Sequence, residues 1–253
     1  MRPVQDSGGS GLPPGLEAAW GLRERPAKGP RPGLSVHRIV DAALAVAAAE
    51  GLAAVSMGRV AKELGASTMS LYRYVGAKDE LYVLMQDAAI GTPPDPLPPG
   101  THWREALAHW AWEQRVVLQR NLWLLRVPIS GPPATPNSVA WWEAGMQALA
   151  GTSLDEGTKV SVVGLVSRFV RSETGMMADL AAAVAATGES PEQVMARYTR
   201  ALRRLAEPRR YPAVAHVLAS GVLEAQEDPD HEFRFGLDRL LDGIGALVEA
   251  TEA

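Results

Sequence analysis

Residues 55–81, VSMGRVAKELGASTMSLYRYVGAKDEL, constrain the fold more than any other stretch of this chain. They read as two short helices around a tight turn, with a third helix opening behind them. The turn is Leu64-Gly65-Ala66. Gly65 stands just past a helical run, where a left-handed residue closes a helix most easily. Ser67 comes two residues later and can cap the next helix through its hydroxyl. The first helix is expected from about Ser56 to Leu64, with Ser56 as its cap and Val60, Ala61 and Leu64 facing inward. The second is expected from about Thr68 to Val75, with Leu71 and Val75 inward.

This spacing is that of a helix-turn-helix, whose second helix is shaped to enter a major groove. Thr68, Met69, Ser70, Tyr72, Arg73 and Tyr74 are left largely outside. Hydroxyls, phenols and a guanidinium suit phosphates and base edges. Taken alone, the stretch also fits an ordinary helical hairpin with a solvated face.

The flanks narrow the choice. Upstream, SVHRIVDAALAVAAAE (35–50) carries Ile39, Ala42, Ala43, Val46 and Ala49 on one face, and Gly51 stops the helix. Downstream, Lys78-Asp79-Glu80-Leu81 opens a further helix with two acids at its positive end. With Glu50, Tyr72, Tyr74, Val75, Lys78, Leu81 and Leu84 in place, residues 34–90 resemble the DNA-binding domain of the TetR family of bacterial transcriptional regulators. The motif Leu71-Tyr72-x-Tyr74-Val75-x-x-Lys78-x-x-Leu81 carries the resemblance. It implies DNA contacts from Ser56, Arg59, Ser67, Thr68, Met69, Ser70, Tyr72, Arg73, Tyr74 and Lys78, with Tyr72 and Lys78 on phosphates.

One position departs from the pattern. The family often has an arginine at the third residue of the first motif helix, and Gly58 stands there. Bidentate arginine-to-guanine contact from that place is unavailable. Either Arg59 substitutes by reaching from the next turn, or the second motif helix carries most of the reading.

The net charge of −4 looks wrong for a DNA binder until it is mapped. Residues 21–78 hold nine basic and four acidic residues, a local +5. From residue 91 onward fifteen basic residues face twenty acidic ones, a local −5. The basic footprint is local, as phosphate binding requires. Residues 1–33, rich in Gly, Pro and Ser, read as a disordered basic arm, with Arg23, Arg25, Lys28 and Arg31 ahead of the first helix. TPPDPLPPG (92–100) is a proline-rich break. The expected organisation is therefore an arm at 1–33, a helix-turn-helix domain at 34–92 and a second domain at 93–253. The chain has no cysteine, no apolar run of about 18 residues and no charged-then-apolar leader. A cytoplasmic protein is the expectation.

The remainder is all-α in pattern. Trp103, Leu107, Trp110, Gln114 and Val117 share one face of a helix that Thr101 can cap. Helices are also expected from Asn137 to Leu149, from the capping box at Ser153–Glu156 onward, from Ser190-Pro191, and after Asp230. Residues 101–180 resemble, more weakly, the C-terminal domain of the tetracycline-repressor branch of the same family. The resemblance implies a small-molecule pocket and dimerisation through two late helices. The fold class expected is an N-terminal three-helix helix-turn-helix domain plus a C-terminal helical ligand-binding and dimerisation domain.

The tryptophan cluster suits an apolar or aromatic ligand, and also plain core. The expected pocket is Trp110, Gln114, Arg115, Trp142, Met146 and Phe169. The expected homodimer seam is Leu237, Leu240, Leu241, Ile244 and Val248, with Gly236 and Gly243 permitting close approach. His102, Glu105, His109 and Glu113 share a helix face but spread over three turns, too far for one metal ion. No catalytic motif or cofactor signature appears. The function expected is a repressor released from a palindromic operator by a small ligand. The alternatives are regulation by a protein partner, transcriptional activation, or a helical enzyme.

Overall fold

A computed structural model describes residues 12–22, 34–128, 131–225 and 228–252. Among them are eleven α-helices and no strand. The helices are α1 (Pro14–Ala19), α2 (Val36–Glu50), α3 (Met57–Glu63), α4 (Thr68–Leu71), α5 (Lys78–Ile90), α6 (Trp103–Arg120), α7 (Pro136–Ala148), α8 (Glu156–Ala185), α9 (Pro191–Leu205), α10 (Pro212–Ser220) and α11 (His231–Glu252).

Two cores organise them. The first packs Ile39, Val46, Val60, Leu71, Leu81 and Met85 from α2 to α5. The second packs Leu107 and Trp110 of α6 against Val162, Val166 and Val170 of α8 and against Phe233, Leu237 and Leu241 of α11. The helix ends form as their sequences dictate. Ser35, Ser56, Ser67, Asp155 and Ser190 each accept a backbone N–H of the turn they cap. Gly65 closes α3 at φ +61°, where a side chain would be strained.

Residues 1–33 were expected to be a disordered arm, and the structure corrects this for 12–22. Pro14–Ala19 form α1, with proline at its first position. Leu16 is buried in the first core. The backbone N–H of Gly15 donates to Glu80 Oε1 at 2.6 Å. Trp20 reaches the second domain, donating from Nε1 to the Ala134 carbonyl at 2.8 Å. The Pro13-Pro14 start and the i, i+4 pair Leu16 and Trp20 were visible in the sequence, but Gly/Pro-rich flanks masked them. Arg23, Arg25, Lys28 and Arg31 lie outside the described residues.

The two domains join along α5. Asp87, buried near the end of α5, accepts backbone N–H bonds from Asn137 at 2.9 Å and Ser138 at 3.2 Å, in the first turn of α7. Asn137 Nδ2 donates back to the Asp87 carbonyl at 2.9 Å. Trp141 of α7 donates to the Gly91 carbonyl at 3.0 Å. Trp123 packs against the first core from the 3-10 turn Leu122–Arg126.

The hairpin α9–α10 stands apart. It packs chiefly on itself and on the turn Val222–Glu224, tied by Arg203 to Glu224 at 3.2 Å. It leaves Met195, Tyr198, Leu205, Val214 and Val217 exposed.

Candidate DNA-reading surface and ligand cavity

The reading helix α4 is short. Regular α-helix ends at Leu71, and the chain continues as a turn in which the N–H groups of Tyr74 and Val75 both donate to the Leu71 carbonyl. Leu71 and Val75 are buried. Met69 is 75% exposed, Tyr72 and Arg73 are exposed, and Thr68 and Ser70 are half-buried. These side chains form one outward patch. Tyr74 differs from the expectation. It is half-buried and packs on the first core.

The hydroxyls are partly committed. Ser67 Oγ accepts the Ser70 N–H at 3.2 Å and lies 2.8 Å from Ser70 Oγ. Ser56 Oγ accepts the Arg59 N–H at 3.1 Å. Arg59 itself is clamped. Its guanidinium bonds Glu50 Oε1 at 2.6 and 3.0 Å and Glu63 Oε2 at 2.8 Å. The Glu50 bond, then the Glu63 bond, pushes the Arg59 pKa further up, and the Arg59 bond holds Glu50 below the usual carboxylate range. Arg59 therefore serves α2 and α3 in this state, not the groove. Gly58 faces open space. Arg73 makes no ion pair among the described residues. Lys78 heads α5 at the exposed edge of the patch, with Nζ 5.0 Å from the Tyr82 ring centre. Behind it, buried Glu80 accepts N–H bonds from Gly15 and Gly76, fixing the start of α5.

The second domain carries a half-open cavity of about 1310 Å³. Its walls are the proline-rich linker 92–100, the first half of α6, α7 and the end of α11. Trp103, Trp110, Ala144 and Val248 supply apolar wall, and Asp95, Glu143, Glu249 and Glu252 supply carboxylates. The linker, whose sequence read as a domain break, is thus one side of the cavity.

Only Trp110 of the expected pocket residues lines this space. It donates from Nε1 to the Trp141 carbonyl at 2.9 Å and lies flat on Gly145, where a Cβ would meet its ring at 2.7 Å. Trp142 points away and is 42% exposed. Met146 is half-buried against the second core. The one-residue step from Trp141 to Trp142 rotates the side chain by about 100° on a helix, which carries it off the buried face.

Gln114, Arg115 and Phe169 come together on another side of α6, in a closed cluster. Arg115 is buried, bonds Asp230 Oδ1 at 2.7 Å and stands 3.9 Å from Glu173 Oε2. Its guanidinium lies over Phe233 and Trp112, 4.5 and 5.1 Å from the ring centres. Phe169 stacks on Phe233 at 5.5 Å and on Gly236, where a Cβ would meet its ring at 2.6 Å. Gln114 Oε1 accepts from Ser167 at 3.2 Å. Burial pushes the Glu173 carboxyl above its ordinary range, Arg115 opposing the shift. Among the described residues Gln114 Nε2, Arg115 Nε and Glu173 Oε2 are buried without a hydrogen-bond partner, the last two facing each other as an ion pair at 3.9 Å.

The expected dimer seam is also corrected. Leu237, Leu241, Ile244 and Val248 are buried inside their own protomer, and Leu240 is half-buried. Their i, i+4, i+7, i+11 stripe is the richest apolar face of α11, and a helix turns that face to its own core first. Gly236 serves Phe169 of the same chain, and Gly243 faces open space. The exposed apolar residues of these late helices are others: Val160, Leu165, Met176 and Leu180 on α8, and Phe235 and Leu247 on α11.

Residues 39–85 match the family model for bacterial regulatory proteins of the tetR family, and residues 95–248 match the tetracyclin repressor-like C-terminal domain. The chain is 34% identical over 247 residues to the HTH-type transcriptional repressor DrrR1 of Streptomyces coeruleorubidus, covering 97% of this chain and 90% of that protein. It is similar in structure to the TetR family protein ActR of Streptomyces coelicolor in complex with actinorhodin. That match has a TM-score of 0.70 and 28% identity over 85% of this chain and 98% of ActR. Apo ActR superposes with a TM-score of 0.67 at 28% identity, covering 87% and 97% of the two chains. With a reading helix exposed on a helix-turn-helix domain and a second helical domain that carries a half-open cleft, the chain belongs to the TetR family of bacterial DNA-binding transcriptional regulators.

Proposed function

We propose that this chain is a cytoplasmic, homodimeric repressor that leaves a palindromic operator when a small apolar or aromatic molecule fills the cavity beneath the 92–100 linker. The observation that carries the reading is the Asp87 joint. Five residues of α7 line the cavity (Ala140, Glu143, Ala144, Gln147 and Ala148), and the first turn of that helix is bound to Asp87 of α5. At its other end α5 starts at Lys78, next to the reading helix. A ligand that displaces α7 therefore acts on α5, and through it on the spacing of two reading helices.

A palindromic site needs those helices about 34–36 Å apart, so a small rotation of α5 matters. The ligand shifts the balance only by its differential affinity for the two arrangements, and a tenfold loss of DNA affinity takes about 1.4 kcal/mol. Dimerisation through the outward faces of α8 and α11 would cover Leu165 and Leu247, and the α9–α10 hairpin would lay its apolar face on the partner. DrrR1 is named a repressor, and ActR has been captured with actinorhodin. Both fit this reading.

The test has two parts. DNA bound by the ligand-free protein is selected from a random pool, and its affinity is measured by fluorescence anisotropy with and without compounds that quench the Trp103 and Trp110 region. The reading expects an inverted repeat and at least a tenfold affinity loss with bound compound. Compounds that bind while operator affinity stays constant would overturn the switch.

A further inference from the structure

We infer that Met69 sets part of the DNA sequence this protein selects, by packing on the C5-methyl group of a thymine. The bound site then carries a T·A pair that the protein tells from C·G through apolar contact and not through a hydrogen bond. The inference rests on α4 being the reading helix, and it is independent of the ligand switch proposed above.

The side chains that can carry sequence information are few. Contacts to phosphate fix the register of a protein on DNA but read no base. Gly58 has no side chain to offer, and Arg59 beside it is bound to Glu50 and Glu63. A recognition helix reads base edges with its N-terminal residues, here the turn from Ser67 to Ser70. In that turn Ser67 Oγ accepts the Ser70 N–H at 3.2 Å and lies 2.8 Å from Ser70 Oγ, so the two hydroxyls serve each other. Thr68 is half-buried. Met69 is 75% exposed, and it is the one large apolar side chain of the turn.

Its outward direction is fixed from below. Leu71 is fully buried in the first core, and Met69 stands two residues earlier, about 200° round the helix. The anchor that holds Leu71 in therefore holds Met69 out. In the major groove every base pair displays hydrogen-bonding atoms, and the thymine C5-methyl is the one apolar group among them. A thioether is at best a weak acceptor. Laid on polar base edges, Met69 would displace water without replacing its hydrogen bonds. Laid on a thymine methyl, it removes apolar surface from water on both partners. An unbranched, polarizable side chain suits the contact, because its rotatable bonds let it follow the shape of the groove.

The experiment uses the full-length protein and the DNA it selects from a random pool. Each thymine of the selected site is replaced in turn by deoxyuridine, which keeps the base pair and the O4 acceptor and lacks only the methyl. Affinity is read by fluorescence anisotropy. The inference expects at least one replacement to weaken binding about fourfold, the worth of one buried CH₂ at roughly 0.8 kcal/mol. Met69→Ala should bind the thymine and uracil duplexes alike, and Met69→Leu should still prefer thymine. At the same position wild type should bind 5-methylcytosine more tightly than cytosine, and Met69→Ala should lose that preference. Met69 is exposed, so both variants fold, which a circular dichroism melt confirms. The inference is overturned if no thymine shows the loss, if the loss is as large in Met69→Ala, or if the pool yields no preferred sequence. A selected site that lacks an inverted repeat, or that no compound releases, counts against the repressor reading alone.

Discussion

The Asp87 carboxylate caps the first turn of α7 through the backbone N–H of Asn137, at 2.9 Å. Residues 50 positions apart are thereby made one mechanical unit, with the positive end of one helix held by an acid on another. Asp87→Ala removes an N-terminal cap and should cost about 1–2 kcal/mol of stability. Its sharper effect should fall on coupling. Ligand affinity and ligand-free DNA affinity should stay near wild type, while a tenfold ligand-induced release falls to about threefold, a coupling loss of about 0.7 kcal/mol. Paired titrations of operator and ligand check this.

The helix α1 is a second tie between the domains. Leu16 is buried in the first core while Trp20 bonds the Ala134 carbonyl, just ahead of α7. Leu16→Ala should cost about 2–4 kcal/mol, as large-to-small core changes do. Gly15→Val should cost comparably, because a Cβ there lies 2.8 Å from both Glu80 Oε1 and Leu84 Cδ1. Trp20→Phe keeps the ring and loses the bond. Its melting point should move by only a few degrees, while release by ligand weakens. Denaturant melts of the three variants separate these effects.

What the sequence disclosed follows from how local each signal was. The helix-turn-helix was legible because its determinants sit within 27 residues: Ser56, Gly65, Ser67, Leu71 and Val75 each act on their own turn. The start of the long helix α8 was read from a capping box at Ser153–Glu156, but Asp155 is its cap, and Ser153 Oγ lies instead against the Val248 carbonyl and Thr251 of α11. The cavity was not legible, because its carboxylates come from residues 95, 143, 249 and 252, and no period connects them. Asp87 and Glu80 looked like surface acids on an ordinary helix. Their partners are backbone N–H groups, which carry no residue identity. The α11 stripe was correctly read as apolar but assigned to the wrong neighbour. Periodicity says which face of a helix is buried, not whether the covering helix belongs to the same chain.

That distinction is testable. Leu165→Glu and Leu247→Glu place charge on outward faces and should give folded protein that sediments as a monomer at micromolar concentration. Leu241→Glu buries a carboxylate among Leu107 and Val166 and should prevent folding, not merely split a dimer. A folded monomeric Leu241→Glu protein would return the seam to the inner stripe.

The buried Glu173 gives the ligand domain a pH signature. Its folded pKa lies above the unfolded one, and burial is the main cause. Its contribution is therefore fully present below the ordinary carboxylate range and is lost as pH rises through the raised value. Glu173→Gln keeps the shape without the charge, and Arg115 keeps Asp230 at 2.7 Å. The stability of Glu173→Gln relative to wild type should grow as pH rises from acid to neutral. The exposed acids held low, Asp155, Asp228 and Asp242 among them, act oppositely but cancel in this difference. Urea midpoints across the range read the slope, and a flat difference removes the claim.

On the DNA side, Arg59 is held by Glu50 and Glu63, while Arg73 and Lys78 make no ion pair among the described residues. The three basic residues should therefore behave differently. Lys78→Ala should weaken all sequences about equally and lower the slope of log affinity against log salt by roughly one unit, as loss of one phosphate contact does. Arg73→Ala should cost about 1–3 kcal/mol on the selected operator and little on unrelated DNA, if its guanidinium reads a base edge. Arg59→Ala should change DNA affinity little and lower the melting point, because its bonds join α2 to α3. Releasing it should do the reverse: Glu50→Gln/Glu63→Gln frees a guanidinium beside the place where Gly58 stands, and DNA affinity should rise. Anisotropy titrations of the four proteins at several salt concentrations decide the matter. An Arg59→Ala loss as large and as sequence-selective as that of Arg73→Ala would show that the clamp opens on DNA and that Arg59 reads the groove after all.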